Sequence, residues 1–547
     1  MGTPSATGLT DTSERRGHSL KGSMEIVDNS AVMIKCPTHV AHTIDGYIEK
    51  SEILSSSDGV SDIVVYWGLD EMQRLARIVP YSIKVPSPIE RDYEWPGMFK
   101  PFDHQRDTSR FLSVHRRAFC FNEAGTGKTS AAIWAADYLM TQGKIRRALV
   151  ICPLSIMHSA WQADLFKTAM HRTCAVAHGA TSKREKIIRS DYQFVIINYD
   201  GVGVVEKAIA EGKFDLIIID EANAYKNTAT RRWKTLARLV KPDTYLWMMT
   251  GTPAAQSPED AFGLARIVNP DGVPRYKTAW RDKVMSQITR FKWAPKPDSR
   301  VTVFDALQPA IRYEKAQCLD LPDVVYQTRE VALSPQALKY YRDLVKEMQI
   351  KTAGETISTV NAAASLSRLL QLSGGAVYTD DGNVVEFDVS PRLSVLQEVL
   401  DEALHKVLIF IPYKHTLTLI KKHLEAAGIS NQIISGDVTA IQRADIFKNF
   451  QQNTDPRVLL IQPQAASHGV TLTAADTVIF WSPVMSVETY LQCIARIDRV
   501  GQKNSMTVIH LQGSEVERRM YKLLQNKVSL HEKLVDLYKD ELEGEKL

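Results

Sequence analysis

The 547 residues include 67 basic and 63 acidic side chains, for a formal net charge of +4, with 44% apolar and 24% charged residues. That length exceeds a single hydrophobic core and implies two large domains with appendages, and the composition excludes a mainly disordered chain. The near-neutral balance excludes a uniformly basic surface, so any nucleic-acid face must be a local strip. Six cysteines (Cys36, Cys120, Cys152, Cys174, Cys318 and Cys493) are scattered without a Cys-x-x-Cys pair, a pattern of reducing surroundings rather than of a disulfide or zinc scaffold. No run has the length of a membrane span and no secretory pattern opens the chain, so the expected location is the cytoplasm.

Residues 1–23 are polar, aperiodic and rich in Gly, Ser and Thr. They are expected to be a disordered tail or an added leader ahead of a natural start at Met24. Residues 24–97 show short β-like runs at 31–35 and 61–67, a helical stretch at 69–78 and a proline-marked connector. This reads as a small α/β accessory domain, suited to packing or to reading a substrate. From 98 to 270, apolar runs at 117–121, 147–153, 194–199, 214–221 and 245–249 alternate with helical stretches. Continuous apolar strands separated by helices imply a parallel sheet covered on both faces, with ligands beyond the strand C-terminal ends.

Two motifs in this region carry chemistry. Gly125-Thr126-Gly127-Lys128-Thr129 follows the first strand and opens a helix. Glycines let backbone N–H groups curl round an anion, and the helix N-terminus adds partial positive charge. Lys128 would reach the β- and γ-phosphates and the Thr129 hydroxyl would ligate Mg²⁺. Asn122 stands where the longer form of the motif has glycine. About ninety residues on, the run 216–219 delivers Asp220 and Glu221 to the same sheet edge. There Asp220 would hold Mg²⁺ through water and Glu221 would polarise the attacking water. Gln105, about twenty residues before the loop, has the amide donor and acceptor that an adenine edge requires.

Residues 271–390 read as a helical insertion between two lobes, with a basic aromatic segment (Trp280, Phe291, Trp293), a strand-like run at 324–333 and a helix from Ala337. A second parallel sheet is expected in 391–512, with strands at 406–411, 432–434, 457–461 and 477–481. It has no phosphate loop and offers instead Gln492, Arg496 and Arg499, which on a helix share one face. Two guanidinium groups presented across a cleft would stabilise charge on a transferring γ-phosphate. Residues 513–547 are expected to form a helix containing Lys527.

The ordered set Gln105, Gly125-Thr126-Gly127-Lys128-Thr129, Cys152-Pro153-Leu154-Ser155, Asp220-Glu221-Ala222-Asn223, Thr250-Gly251-Thr252-Pro253, Ser467-His468-Gly469-Val470-Thr471-Leu472 and Gln492-x-x-x-Arg496-x-x-Arg499-x-Gly501-Gln502 resembles the Swi/Snf family of superfamily-two helicase-like ATPases. The resemblance covers roughly residues 98–535. It departs at Asn223, where the family has His, at Ala254-Ala255-Gln256, and at 465–471, where paired glycines are missing and the pattern is similar to compact phage-encoded members. It implies α/β architecture with two tandem RecA-like parallel-sheet lobes, and a motor that uses ATP and Mg²⁺ to move along double-stranded or branched DNA. It also implies Gly469 at the nucleotide, a closing brace in the helix of 513–547, and DNA contacts at Pro153, Ser155, Asn198, Tyr199, Ser467 and His468. The chain is expected to act as a monomer, in a bacterial host's cytoplasm if phage-encoded. An RNA or single-strand helicase and an ATP-switched clamp without motor activity are the alternatives.

Overall fold

The computed structural model describes residues 23–81, 83–251, 253, 257–289, 293–318, 321–352, 359–378, 384–466 and 470–526. The leader up to residue 22, Thr252, Ala254-Ala255-Gln256, Phe291, Ser467, His468, Gly469 and Lys527 lie outside the described residues.

Strands β1 (Met24–Val27), β2 (Ala31–Pro37), β3 (Ser51–Ser57) and β4 (Val60–Tyr66) form an antiparallel sheet in the order β1-β2-β4-β3. Alternation in β2 and β4 turns Val32, Ile34, Cys36, Ile63 and Val65 toward the helices Thr38–Tyr47 and Leu69–Ile78. This domain is pinned to the next by buried polar contacts. Gln73 donates to the Ser113 carbonyl (2.8 Å) and accepts from the Tyr245 hydroxyl (3.0 Å).

The first lobe is built on β5 (Arg117–Cys120), β6 (Ala148–Cys152), β7 (Cys174–Val176), β8 (Phe194–Asn198), β9 (Leu216–Asp220) and β10 (Tyr245–Met249). A hairpin of β11 (Met285–Gln287) and β12 (Trp293–Pro295) lies beside it, and β13 (Ala310–Ile311) adds to its edge. The seven-stranded order is β13-β5-β10-β9-β6-β8-β7, with neighbouring strands parallel. Period-two alternation sends Leu149, Ile151, Ile217 and Ile219 to one buried cluster and Ala148, Val150, Leu216 and Ile218 to the other. Both faces are covered, which is why these strands read as unbroken apolar runs.

The second lobe contains β14 (Val324–Glu330), the small pair β15 (Ala376–Tyr378) and β16 (Val384–Glu386), and then β17 (Lys406–Phe410), β18 (Asn431–Ile434), β19 (Val458–Ile461), β20 (Ala475–Phe480) and β21 (Met506–Gln512). Its parallel sheet runs β14-β21-β20-β17-β19-β18. The two parallel-sheet lobes and the small N-terminal domain are those expected from the sequence.

The segment 271–390 is organised differently from the expected helical insertion. Its β13 completes the first lobe's sheet and its β14 completes the second's, so the segment is shared between lobes. The helices Pro335–Thr352 and Thr359–Ser373 follow β14 and pack on the second core. The closing helix is seen as Glu515–Gln525. Its Glu517 is fully buried and accepts from Arg392 Nη2 at both carboxylate oxygens (2.8 and 2.7 Å) and from the Gly513 N–H (2.7 Å), while Arg392 Nη1 donates to the Trp481 carbonyl (2.6 Å).

Candidate nucleotide site

The sheet order places β10 between β5 and β9, so the glycine loop after β5 and the acid pair after β9 flank one crevice at the C-terminal edge. Gly125 and Gly127 adopt φ of +89° and +78°, the left-handed region that glycine enters without a Cβ penalty. A Cβ on Gly127 would come within 2.1 Å of Gln105 Nε2. The loop is drawn tight on the Glu123 carbonyl, which accepts from Thr126 Oγ1 (2.8 Å) and Lys128 Nζ (3.3 Å). Lys128 and Thr129 start the helix Lys128–Thr141, whose first N–H groups have no intrahelical partner and point to the crevice.

Two residues near the loop have structural roles that the sequence does not reveal. Asn122 is buried, donates from Nδ2 to Thr108 Oγ1 (2.8 Å) and accepts at Oδ1 from the Tyr313 N–H (3.0 Å). It trades the missing glycine's freedom for a tie between the loop, the preceding helix and the chain after β13. Gln105 braces the loop from behind. Its Oε1 accepts from the Phe102 N–H (3.0 Å), and its Nε2 donates to the Thr126 carbonyl (3.2 Å), which His104 Nε2 also contacts (2.8 Å). The expected adenine reader is thus turned onto the phosphate loop in this conformation.

Asp220, only 7% exposed, accepts at Oδ1 from the Glu221 N–H (3.0 Å) and at Oδ2 from Trp161 Nε1 (2.9 Å). Burial raises its pKa and the Lys128 ammonium is the leading opposing charge. Glu221 sits at φ +50°, an uncommon conformation for a side chain of its size. Burial, and then the neighbouring Asp220 charge, push its carboxyl up to about 7. The hydroxyl of Tyr199, a residue expected at the DNA, donates to the backbone carbonyls of Asp220 (2.6 Å) and Glu221 (3.3 Å), with Arg232 over its ring. A tyrosine at the mouth of β8 is long enough to cross β6 toward the end of β9, where it reaches the Asp220 carbonyl and shares the Glu221 carbonyl with the Ala224 N–H (3.1 Å). Its neighbour Asn198 accepts from Arg184 (2.9 Å).

The arginines approach from the second lobe, and they are not equivalent. The helix Val487–Ile494 ends before Arg496, so the pair lies on the turns beyond it rather than on one helical face. Both guanidiniums cap the helix end: Arg496 Nε donates to the Gln492 carbonyl and Arg499 Nε to the Ala495 carbonyl, each at 2.7 Å. Arg496 is 2% exposed, also donates to the Val470 carbonyl (3.1 Å), and has its pKa pushed down to about 9 by burial and then by the Arg499 charge. Arg499 reaches the other lobe. Its Cγ lies 3.2 Å from where a Gly125 Cβ would stand, and the Asp164, Glu221 and Asp220 charges act on it. Two polar bridges accompany this approach: Asn223 Nδ2 donates to Glu488 Oε1 (3.3 Å), and Lys315 Nζ donates to the Asp498 carbonyl (2.9 Å).

Pro153 and Ser155, expected at the DNA, lie at the C-terminal end of β6 beside exposed Leu154. Ser467, His468 and Gly469 lie outside the described residues. Thr250 is buried, with its N–H on the Cys120 carbonyl (3.0 Å). Trp161, Lys315 and Glu488 were not singled out from the sequence. Trp161 alone offered a signal, as a large polar-tipped residue shortly after the Pro153 turn.

A glycine loop and an acid pair on one parallel-sheet lobe, with an arginine delivered to them by a second, define a two-lobed helicase-like ATPase. Residues 104–374 match the family model described as SNF2-related domain, and residues 391–501 match the one described as Helicase conserved C-terminal domain. The chain belongs to the SNF2-related family of ATPases. Among its relatives, Chromodomain-helicase-DNA-binding protein 1-like of Mus musculus is 26% identical over 437 residues, covering 76% of this chain and 47% of the relative. The chain therefore spans about half the length of that relative. Protein p41 of Acyrthosiphon pisum secondary endosymbiont phage 1 is 24% identical over 420 residues, covering 73% of this chain and 88% of p41. A structure described as the Sulfolobus solfataricus SWI2/SNF2 ATPase core in complex with dsDNA is 22% identical, with a TM-score of 0.41, covering 83% of this chain and 96% of that one. No helix among the described residues is long and apolar enough to cross a membrane.

Proposed function

We propose that the chain is an ATP-dependent translocase on double-stranded DNA that displaces bound proteins or remodels branched structures. The observation that carries this reading is Arg499 of the second lobe resting on Gly125 of the first, 3.2 Å from a Cβ position there. Such a contact makes the site complete only when the lobes close, so turnover and lobe movement are linked. The loop N–H groups and Lys128 hold the triphosphate. Arg499, and Arg496 behind it, lower the energy of the charge that spreads over the transferring group. Glu221, with a carboxyl that burial makes more basic, accepts a proton from the attacking water.

Mg²⁺ fits the donor set. Asp220 is a buried carboxylate that accepts from the Glu221 N–H at one oxygen and from Trp161 Nε1 at the other, and Thr129 adds a hydroxyl at the helix start. No group of three or more candidate ligands gathers among the described residues, as suits an ion that keeps waters and takes phosphate oxygens. Bound there, it would neutralise charge on the phosphates. Family membership and the mouse relative, whose name records DNA binding, support the choice of DNA. Pro153, Ser155 and Asn198, with Ser467 and His468, are the candidate contacts, and these would be mostly to phosphates. The coverage of p41 supports grouping the chain with phage-encoded members.

Phosphate release measured with duplex DNA, single-stranded DNA and RNA tests the reading. Duplex DNA should stimulate most. Preference for RNA or single strands would replace the substrate, and nucleotide binding without stimulated turnover would make the protein a clamp.

A further inference from the structure

The chain that leaves the first lobe does so along the phosphate loop itself. After β13 it stays paired with the loop strand: Phe121 donates to the Ile311 carbonyl (2.8 Å) and Glu123 to the Tyr313 carbonyl (3.0 Å). At Lys315 the backbone N–H binds Glu123 Oε2 (3.0 Å), and two residues earlier the Tyr313 N–H binds Asn122 Oδ1 (3.0 Å). The next strand, β14, belongs to the second lobe. Lys315 therefore occupies the passage between lobes with its backbone fixed to the nucleotide loop.

Its side chain is fixed to the other lobe. Lys315 Nζ binds both the carbonyl and the carboxylate of Asp498, the residue directly before Arg499. Both partners are largely sheltered, with side-chain exposures of 15% and 18%. Lys315 Cε, the Asp498 carbonyl and Arg499 Cγ all lie within 3.5 Å of the Gly125 Cβ position. Burial pushes the Lys315 ammonium down from its ordinary value, and Asp498 is the charge that most opposes this.

From this geometry we infer that Lys315 is a positioning residue that sets Arg499 against the phosphate loop when the lobes close. It acts in two ways. As a tether, it joins Glu123 of the loop to Asp498 of the arginine segment through one residue, so closure places Arg499 in one register. As a counter-charge, it neutralises Asp498, which would otherwise put an unpaired carboxylate beside the triphosphate and hold Arg499 to itself. The inference rests on the proposed ATP site, and it concerns the closed arrangement rather than the first lobe's own grip on nucleotide.

A double-mutant cycle on the full chain tests it, with Lys315→Ala, Asp498→Asn and the double variant, reading DNA-stimulated kcat and the affinity for a fluorescent ATP analogue separately. Each single change should lower kcat about tenfold or more, the affinity should change less than about threefold, and the double variant should be no slower than the worse single. Lys315→Arg, which keeps the charge and reach, should return kcat to within about threefold of the unmodified protein. Lys315→Gln carries the same expectation as the alanine variant if that one melts early. Unchanged kcat, single effects that multiply in the double variant, or an affinity loss equal to the turnover loss would each overturn the inference. Lys128→Ala is the separating control: normal turnover there would overturn the nucleotide-site reading itself, whatever Lys315 does.

Discussion

Replacing Tyr199 with phenylalanine removes one oxygen atom and leaves the ring in place under Arg232. That oxygen makes a short bond to the Asp220 carbonyl (2.6 Å) and a longer one to the Glu221 carbonyl (3.3 Å). Losing one good bond and leaving a buried acceptor unpaired costs about 1–2 kcal/mol. The loss falls where the backbone is least relaxed, because Glu221 holds φ +50°. If the whole cost appears as misplacement of the acid pair, DNA-stimulated kcat should fall about five- to thirty-fold. The affinity for duplex DNA and its salt dependence should stay as they were, because the hydroxyl is taken up by the Asp220 and Glu221 carbonyls. Phosphate release at saturating DNA, paired with a binding titration at two salt concentrations, separates the two roles. A variant with weaker DNA binding and unchanged turnover at saturation would refute the brace and restore Tyr199 as a DNA contact.

Other consequences follow from the same structure. Gly127→Ala should lower turnover, since the φ of +78° strains a residue with a Cβ and the Gln105 amide that braces the loop would have to move aside; a phosphate-release assay reads this. Glu221→Gln should also stop turnover while still binding a fluorescent ATP analogue. Arg392→Met removes the charge partner of the fully buried Glu517 carboxylate, leaving it only the Gly513 and Ser514 donors, and should lower unfolding stability in urea by about 3 kcal/mol. His510 is buried between Tyr490 and Gln525, and its pKa is lowered from 6.5 to about 4. The unfolded chain then binds the proton more readily, so this stability is complete above pH 6.5 and lost as pH falls toward 4, by about 3 kcal/mol in total. Urea midpoints between pH 7 and 5 should fall less in His510→Gln than in the unmodified protein.

The parts of this protein that were legible in the sequence are those whose signal is local. Strand β9 reads as an apolar run because both its faces are covered, and the acid pair reads from its position at the strand end. The phosphate loop reads from glycines that its backbone needs at positive φ. What the sequence concealed depends on which elements meet in space. Strand β13 is two residues long, too short for any periodicity, yet it decides that 271–390 is shared between lobes. The spacing of Arg496 and Arg499 suggests one helical face; the helix ends at Ile494, so Arg496 is buried against the Val470 carbonyl while the Arg499 side chain lies against Gly125 of the other lobe. Asn122, Trp161, Tyr199 and Lys315 each act through a partner far away in sequence, and no spacing rule announces such a pairing.

Turnover by this protein requires an arginine from the second lobe to complete a site that the first lobe builds. The most direct measurement is phosphate release with saturating duplex DNA in Arg499→Ala, alongside its affinity for a fluorescent ATP analogue. Turnover should be lost, by about a hundredfold or more, with nucleotide still bound. Turnover near that of the unmodified protein would contradict the composite site.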